Sequence, residues 1–510
     1  LSASSPRIAV RFTATLAANV VSAGTGFLVS LILARGLGPK EYGNYAFLLA
    51  SFGAFNSWLD GGSSAAFYTF LSGGESRRLH IRLYGAWLAA RFALLAILAA
   101  ALPHFLFRQV WFENSRALTL WGLGAYFLSI PGQSMIVQVF ESMRRTLEVQ
   151  TALVAVSVAH LIAVAALLLC DLLSVESVFA LVVAEYLLLA LFAAWRNRDV
   201  AGESEPPAAT AGAFAQYRAY CLPLFVYTAV TAFAQFGDRW LLQFFGGSLQ
   251  QGLFSVSQQF GTVALMATAA LINILWKEIA AAESVGDTVR SASLFLRSSR
   301  FLFAVSAGIG AFLAPQCREL TPVLLGASYT AAWPALSLLM LYPAFQSLSQ
   351  LNAVYFYATK QIRLHVFLSS TATLVAIPFT YFVLASPQAR LPGLGWGATG
   401  LAARWVIFQI LFVAWQSRAV AKLQSTTNET PRRLLVVGVL LAIACAAKAI
   451  ASAALAAAGF FNPFATLAVS GILFGATALT LGFRFPEYSG VEKFLIDALL
   501  EKIRSRAAGS

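Results

Sequence analysis

The sequence predicts an all-α polytopic membrane protein of about fourteen transmembrane helices, two pseudo-symmetric six-helix lobes plus two extra C-terminal helices. Three observations carry that expectation. Of 510 residues, 59% are hydrophobic and only 11% charged, with mean hydropathy +0.73, more apolar surface than a water-soluble core covers. Apolar windows of about 20 residues, long enough to cross a hydrocarbon layer, recur along the whole chain. Finally, RGLGPKEYGNYAF (Arg35 to Phe47) returns in worn form as FFGGSLQQGLFSV (Phe244 to Val256), so that Gly38, Gly43 and Tyr45 meet Gly247, Gly252 and Phe254 at a constant offset of 209 residues.

In chain order the expected spans are 12–34, 42–70, 83–102, 117–140, 149–170, 177–195, 216–245, 251–276, 298–316, 331–357, 364–385, 394–416, 434–458 and 464–483. The second, fourth, seventh, eighth and tenth carry Ser, Gln, Asn and Gly through their length and are expected to face a cavity, because amides cannot be left unpaired in hydrocarbon. A cytoplasmic linker, 197–213, rich in Glu, Pro, Ala and Gly, separates an N-terminal lobe (1–196) from a C-terminal lobe (214–418). Further traces of duplication agree with that cut: MRRTLEVQTALVAVS from Met143 parallels ATKQIRLHVFLSSTA from Ala358, and Pro131 parallels Pro343. The two additional helices within 434–483 have no counterpart. In 487–506, Val491, Phe494, Leu495, Ala498, Leu499 and Ile503 fall at helical spacing opposite charged residues, as in an amphipathic helix on the inner membrane surface.

Net charge is +13, but the basic residues concentrate in short loops. With a cytoplasmic N-terminus, about 24 Lys and Arg fall inside against about 6 outside, which predicts cytoplasmic termini and removes nucleic acid as a partner. The first apolar segment ends at Ala34-Arg35-Gly36 without a cleavage pattern and reads as a span rather than a signal peptide. Cys170, Cys221, Cys317 and Cys445 have no metal or disulfide spacing and read as small core residues. No outer loop is long enough for a domain, which weighs against an enzyme of the outer leaflet. Corresponding helix pairs in two halves are where repeat-built transporters place their substrate path, so transport is the leading function class.

The segments LILARGLGPKEYGNYAFLLASFGAFNSWLDGGSSAAFYTFLS, FGDRWLLQFFGGSLQQGLFSVSQQFG and LLGASYTAAWPALSLLM, in that order, resemble the bacterial Wzx-type polysaccharide flippases of the multidrug/oligosaccharidyl-lipid/polysaccharide (MOP) exporter superfamily over about residues 10–420. The resemblance implies two six-helix lobes working by alternating access in the bacterial cytoplasmic (inner) membrane. The implied cargo is an undecaprenyl-diphosphate-linked oligosaccharide, moved to the outer leaflet without a cofactor, and polysaccharide polymerase and export proteins are implied partners. An ion-coupled multidrug exporter of the same superfamily is the alternative, and a membrane-embedded glycosyltransferase or polymerase the alternative of another class. The second hairpin departs from the first, with Phe244 opposite Arg35 and Leu249 opposite Lys40.

A diphosphate calls for Arg, whose planar fork donates two hydrogen bonds at once, and charges within a membrane need a reason to be there. Arg239, Arg91 and Arg404 are the substrate-binding candidates; Asp60, Asp238 and Glu185 are the ion-coupling candidates. Each has a plainer reading. Asp60 in LDGGSS fits a helix break. Arg239 could pair with Asp60, Glu185 with Arg404, and Arg91, with no acid in helical reach, with a ligand or another helix. His160 reads as a helix-packing residue.

A reporter fused after Arg198 or Lys422 is expected to show cytoplasmic behaviour, and one inserted within 386–392 the opposite. Extracytoplasmic activity at the 197–213 linker would rule out the two-lobe arrangement.

Overall fold

The computed structural model describes residues 5–72, 77–198, 207–460 and 462–486. The amphipathic stretch expected at 487–506 and part of the 197–213 linker lie outside them. Helices follow one another throughout: α1 (Ser5–Asp60), α2 (Ser63–Ser72), α3 (Arg77–Ala101), α4 (His104–Trp111), α5 (Arg116–Phe127), α6 (Gln133–Ser142), α7 (Thr146–Leu169), α8 (Val175–Arg196), α9 (Pro207–Ser284), α10 (Thr288–Leu313), α11 (Cys317–Leu325), α12 (Trp333–Leu339), α13 (Tyr342–Ala358), α14 (Ile362–Leu384), α15 (Gly397–Gln424), α16 (Thr430–Ala457) and α17 (Pro463–Arg484). The described residues contain no strand. Ten described stretches are long and apolar enough to cross a membrane, and the protein is an all-α polytopic membrane protein. All fourteen expected spans fall largely on helix. The short α4 and α11 were not expected. Of the four cysteines expected in the core only Cys317 is buried; Cys170 and Cys445 are exposed, their thiols small enough to sit on an apolar outer surface.

The two longest helices each contain one non-helical residue, and these are the paired glycines. Gly38 in α1 has φ 73°, ψ 170°, and Gly247 in α9 has φ 67°, ψ −177°. Each lets the chain turn from one arm into the next in a conformation a Cβ disfavours. The second pair of glycines is spent on proximity. A Cβ on Gly43 would come within 1.9 Å of the Ser248 carbonyl oxygen, and a Cβ on Gly252 within 1.9 Å of that of Pro39. Pro39 and Ser248 are themselves repeat equivalents, so the two hairpins pack reciprocally, each glycine against the other hairpin's backbone.

The chain divides into two compact units, Leu1–Ser255 with Thr380–Gly397, and Val256–Phe379 with Ala398–Ser510. In the first, Phe47, Phe52, Phe107, Trp111, Tyr126, Phe127 and Phe179 form an aromatic core. Gly122 admits the Phe179 and Phe52 rings, to within 2.9 and 3.2 Å of where its Cβ would stand. In the second, Phe303 meets Phe345 edge-on at 5.5 Å, and Gly310 of α10 lies against the Met340 carbonyl. The two appended helices are held to this unit by Phe312 against Phe474, by Gln316 donating to Ser470 Oγ at 3.0 Å, and by Lys448, which pairs with Glu319 and donates to the Pro315 carbonyl.

Both prolines flagged as repeat partners interrupt helix. Pro131, lacking an N–H, lies in a π turn (Leu128–Gly132), and Pro343 opens α13 after the break at 340–341. The parallel between MRRTLEVQ and ATKQIRLH also recurs as structure, one residue out of the expected register. Arg144 and Lys360, both at φ 59°, cap their helices, and the next residues close six-residue loops, Arg145 N to Phe140 O at 2.9 Å and Gln361 N to Phe356 O at 2.7 Å.

At the mouth of α16, Glu429 pairs with Arg300 and lies 3.6 Å from Arg432. Burial pushes the Glu429 carboxyl up, but the Arg300 hydrogen bond and the charges of Arg300, Arg433 and Arg432 outweigh it and hold the group below its ordinary value. A depressed folded pKa means stability present above the unfolded carboxylate value and lost as pH falls through the folded one. Thermal stability is therefore expected to drop in acid, and Glu429→Gln to be less stable at neutral pH with a flatter acid limb; an unchanged acid limb would contradict this. Gly43→Ala and Gly252→Ala are each expected to lower stability by about 1–3 kcal/mol or more, with the double variant less than additive. Gly24→Ala, with nothing within 4 Å, serves as the control. An unchanged unfolding temperature for Gly43→Ala would refute the close packing.

Candidate functional site

The Asp60-Gly61-Gly62 sequence breaks the second arm of α1 from α2. Gly61 (φ 52°) and Gly62 (φ 92°) turn the chain, and helix resumes at Ser63. The Asp60 carboxylate caps the new helix, accepting from Ser63 Oγ at 2.8 Å, Ser64 Oγ at 2.9 Å and Ser64 N at 3.3 Å. It also accepts from Arg91 Nη1 at 2.6 Å. Arg91 is 1% exposed, its Nη2 donating to Tyr84 Oη at 3.4 Å and its guanidinium 5.7 Å from that ring's centre. Tyr84 in turn stacks on Phe67 at 4.4 Å. The acid that partners Arg91 therefore lies on another helix, and Asp60 pairs with Arg91 rather than with Arg239. Arg91 Nε is buried with no acceptor among the described residues.

Asp238 and Arg239 look in different directions, as adjacent helical residues must. Asp238, 6% exposed, accepts from Thr380 Oγ1 at 2.8 Å. Arg239 Nη1 donates to Ser255 Oγ at 2.9 Å, and the guanidinium lies 4.8 Å from the centre of the Phe254 ring. Ser255 and Phe254 belong to the arm of α9 beyond Gly247, so Arg239 bridges the two arms of the second hairpin. Buried Tyr42, from the first hairpin, is near enough to interact electrostatically with it. One turn further on, Gln243 is buried, and its Oε1 receives no donor among the described residues. Trp240 Nε1 donates to the Gln109 carbonyl at 2.8 Å, and Phe236 packs on Phe55 at 4.8 Å, which fixes this part of α9 against α4 and α1.

Glu185 pairs with His160 Nδ1 on α7 at 2.7 Å, the two side chains 11% and 19% exposed. Glu185 thus has a partner within its own unit. Arg404, in the other unit, is 9% exposed, with its guanidinium 5.5 Å from the centre of the Phe408 ring. Among the six candidates the fold brings Asp60 and Arg91 together, leaves the chain neighbours Asp238 and Arg239 on different partners, and gives Glu185 to His160. Sequence reasoning missed Tyr84, Ser63, Ser64, Thr380 and Ser255. Only the serines after LDGG carried a signal, as residues able to receive a cap. The described residues contain no cluster of three or more His, Cys, Asp or Glu fit to hold a metal.

No protein-family model and no curated protein matches the chain. Solved structures do. Lipid II flippase MurJ in an inward closed conformation superposes with a TM-score of 0.68 at 12% identity, covering 92% of this chain and 98% of that one. An inward-facing multidrug resistance MATE family transporter of the MOP superfamily gives 0.62 at 14% identity, covering 81% and 99%. A MOP superfamily transporter from Pyrococcus furiosus, described as having a binding pocket of reversed polarity, gives 0.53 at 14% identity, covering 82% and 96%. At such identities the likeness is one of architecture, and this chain shares the fold of these solved transporters.

Proposed function

We propose that this protein is a flippase for an oligosaccharide linked through a diphosphate to an undecaprenyl carrier, moving it between leaflets of the bacterial cytoplasmic membrane by alternating access of two six-helix lobes. One observation carries the reading: an intramembrane guanidinium, Arg239, stands where the two sequence repeats pack against each other, bonded to Ser255 and flanked by Tyr42. In transporters built from repeats, substrate sites lie near the interface of the repeats. An arginine there supplies a cation with a geometry matched to phosphate oxygens. The architectural likeness to a lipid II flippase supports the same class of cargo.

The multidrug-exporter reading is weaker because it requires carboxylates available to a cationic drug. Here Asp60 is neutralised by Arg91, Glu185 is paired with His160, and Asp238 accepts from Thr380. Arg91 and Asp60 are assigned to holding the broken helix, and Arg404 to a supporting cation in the C-terminal half.

Arg239→Ala is expected to insert at parental levels and lose glycan export by about tenfold or more, while Arg239→Lys keeps part of it because charge survives without the fork. An abundant Arg239→Ala protein exporting at the parental rate would overturn the assignment. Arg91→Ala is expected to act on folding instead, at a cost of about 3–5 kcal/mol for the buried carboxylate left behind, with Asp60→Asn in the same chain recovering part of the folded protein. Normal abundance of Arg91→Ala with lost export would transfer the cargo role to Arg91.

A further inference from the structure

Beside the π turn, Ser129, Gln133, Ser134, Gln138 and Glu141 line a cavity of about 550 Å³, with Tyr68 of α2 completing its wall. The π turn heads this polar stripe: Pro131 has no N–H to give, and Gln133 N donates to Leu128 O five residues back. Ser134, Gln138 and Glu141 then follow at the i, i+4, i+7 spacing of one helix face. Gln138 Nε2 donates to Ser134 Oγ at 3.3 Å, and Tyr68 and Glu141 both line the cavity. Gln138 Oε1 is buried and receives no donor among the described residues.

Two carboxamides, two hydroxyls and a carboxyl on one stretch of a membrane-embedded helix, faced by a phenol from α2, cannot front hydrocarbon, where each unpaired group is heavily penalised. Among the described residues the lining holds no cation, which does not suit a phosphate. What it offers is alternating neutral donors and acceptors, the carboxyl of Glu141, and a Tyr68 side chain 45% exposed. That combination matches vicinal hydroxyls and amides presented on a ring with one apolar face. From Ser129 to Glu141 the stripe runs about 18 Å at the helical rise, longer than one sugar ring.

We propose that this face is a glycan subsite, which binds uncharged, hydroxyl-bearing sugar residues of the cargo while the diphosphate is held elsewhere. Gln133 and Gln138 supply paired hydrogen bonds, Glu141 accepts from ring hydroxyls, and Tyr68 stacks. This rests on the flippase reading and adds to it a place where the sugar, not the carrier, is recognised. The proline-induced π turn gives the stripe its function, since it interrupts the regular ladder at the point where the polar face begins.

The test uses the full chain in lipid nanodiscs and two probes, sugar-free undecaprenyl diphosphate and lipid-linked oligosaccharide extracted from membranes of the native host. The parent is expected to bind the oligosaccharide lipid about tenfold more tightly than the sugar-free one, and Gln133→Leu with Gln138→Leu to remove that preference while leaving sugar-free affinity within about twofold. Gln138→Ala alone, which keeps the helix and adds no bulk, is expected to lose about half of the preference on a logarithmic scale and guards against a double variant that does not fold. Equal affinity of the parent for both probes, or equal loss on both in the variants, would overturn the subsite and leave the flippase reading standing. Oligosaccharide binding that vanishes when choline replaces sodium in both parent and variants would reassign the cavity to a cation. A parent that binds neither probe would remove the flippase reading itself, and the subsite with it.

Discussion

The fold turns on a contact in which two backbones touch with no side chain between them. Gly43 against Ser248 and Gly252 against Pro39 are a single approach made twice, and only hydrogen in place of a Cβ permits it. The same hairpins depend on Gly38 and Gly247 for their positive-φ turns. Four glycines in two repeats thus fix how α1 meets α9, and the surrounding residues are arranged on that frame. Tyr42 and Arg239 come near each other because the hairpins do. The aromatic packing of Trp240 and Phe244 with Phe112 follows from the same register.

Several intramembrane charged groups already have partners. Arg91 is closed off by Asp60 and Tyr84, Lys448 is held by Glu319 and the Pro315 carbonyl, and Glu185 meets His160. Pairing of this kind is what a low-dielectric surrounding demands, and breaking one partner costs more than the pair contributes. It also bears on the proposed chemistry: a cationic site for phosphate and a polar site without cations for sugar could work in one protein only if the remaining charges are partnered. On the proposed reading the cavity along α6, with no cation among the described residues of its lining, and the Arg239 position, with the Ser255 hydroxyl and the Phe254 ring beside it, would divide the two tasks.

The features that were legible in the sequence are those fixed by local rules. Glycine repeats at one offset and apolar runs of membrane length each leave a signature that needs no third dimension, and the hairpins and the helices followed; Pro131 and Pro343 were legible as repeat partners, and their interruptions of helix emerged only in the structure. The helix break at Asp60 was also readable, because LDGGSS holds the turn and the cap in consecutive residues. The partners of the charges were not. Asp60 and Arg91 are 31 residues apart, and Asp238 and Thr380 are separated by 142; nothing in helical spacing singles out one distant acid among several. The registers of weak repeats were also beyond reach to the last residue, as the one-position slip between Arg144 and Lys360 illustrates, because both left-handed caps carry a long basic residue in place of the glycine or asparagine that would mark them.

The duplication is preserved in backbone and abandoned in chemistry. Gly38 and Gly247 share a conformation, yet Arg35 corresponds to Phe244 and Lys40 to Leu249. Phe244 packs on Trp240 at 5.1 Å, so the second hairpin has exchanged a cation for an aromatic stack. Lys40 in the first is 65% exposed and paired loosely with Glu113 at 3.7 Å, a surface interaction of little energetic weight. Symmetric glycines with asymmetric charges are what a scaffold needs if its repeats must fit one another while its cargo is polar at one end and hydrated along the rest. A symmetric pair of cations would suit two equivalent anions, whereas on the proposed reading a single Arg239 at the junction and a cation-free stripe along α6 in the N-terminal repeat would give a lipid-linked glycan one orientation in which its diphosphate and its sugars are both satisfied.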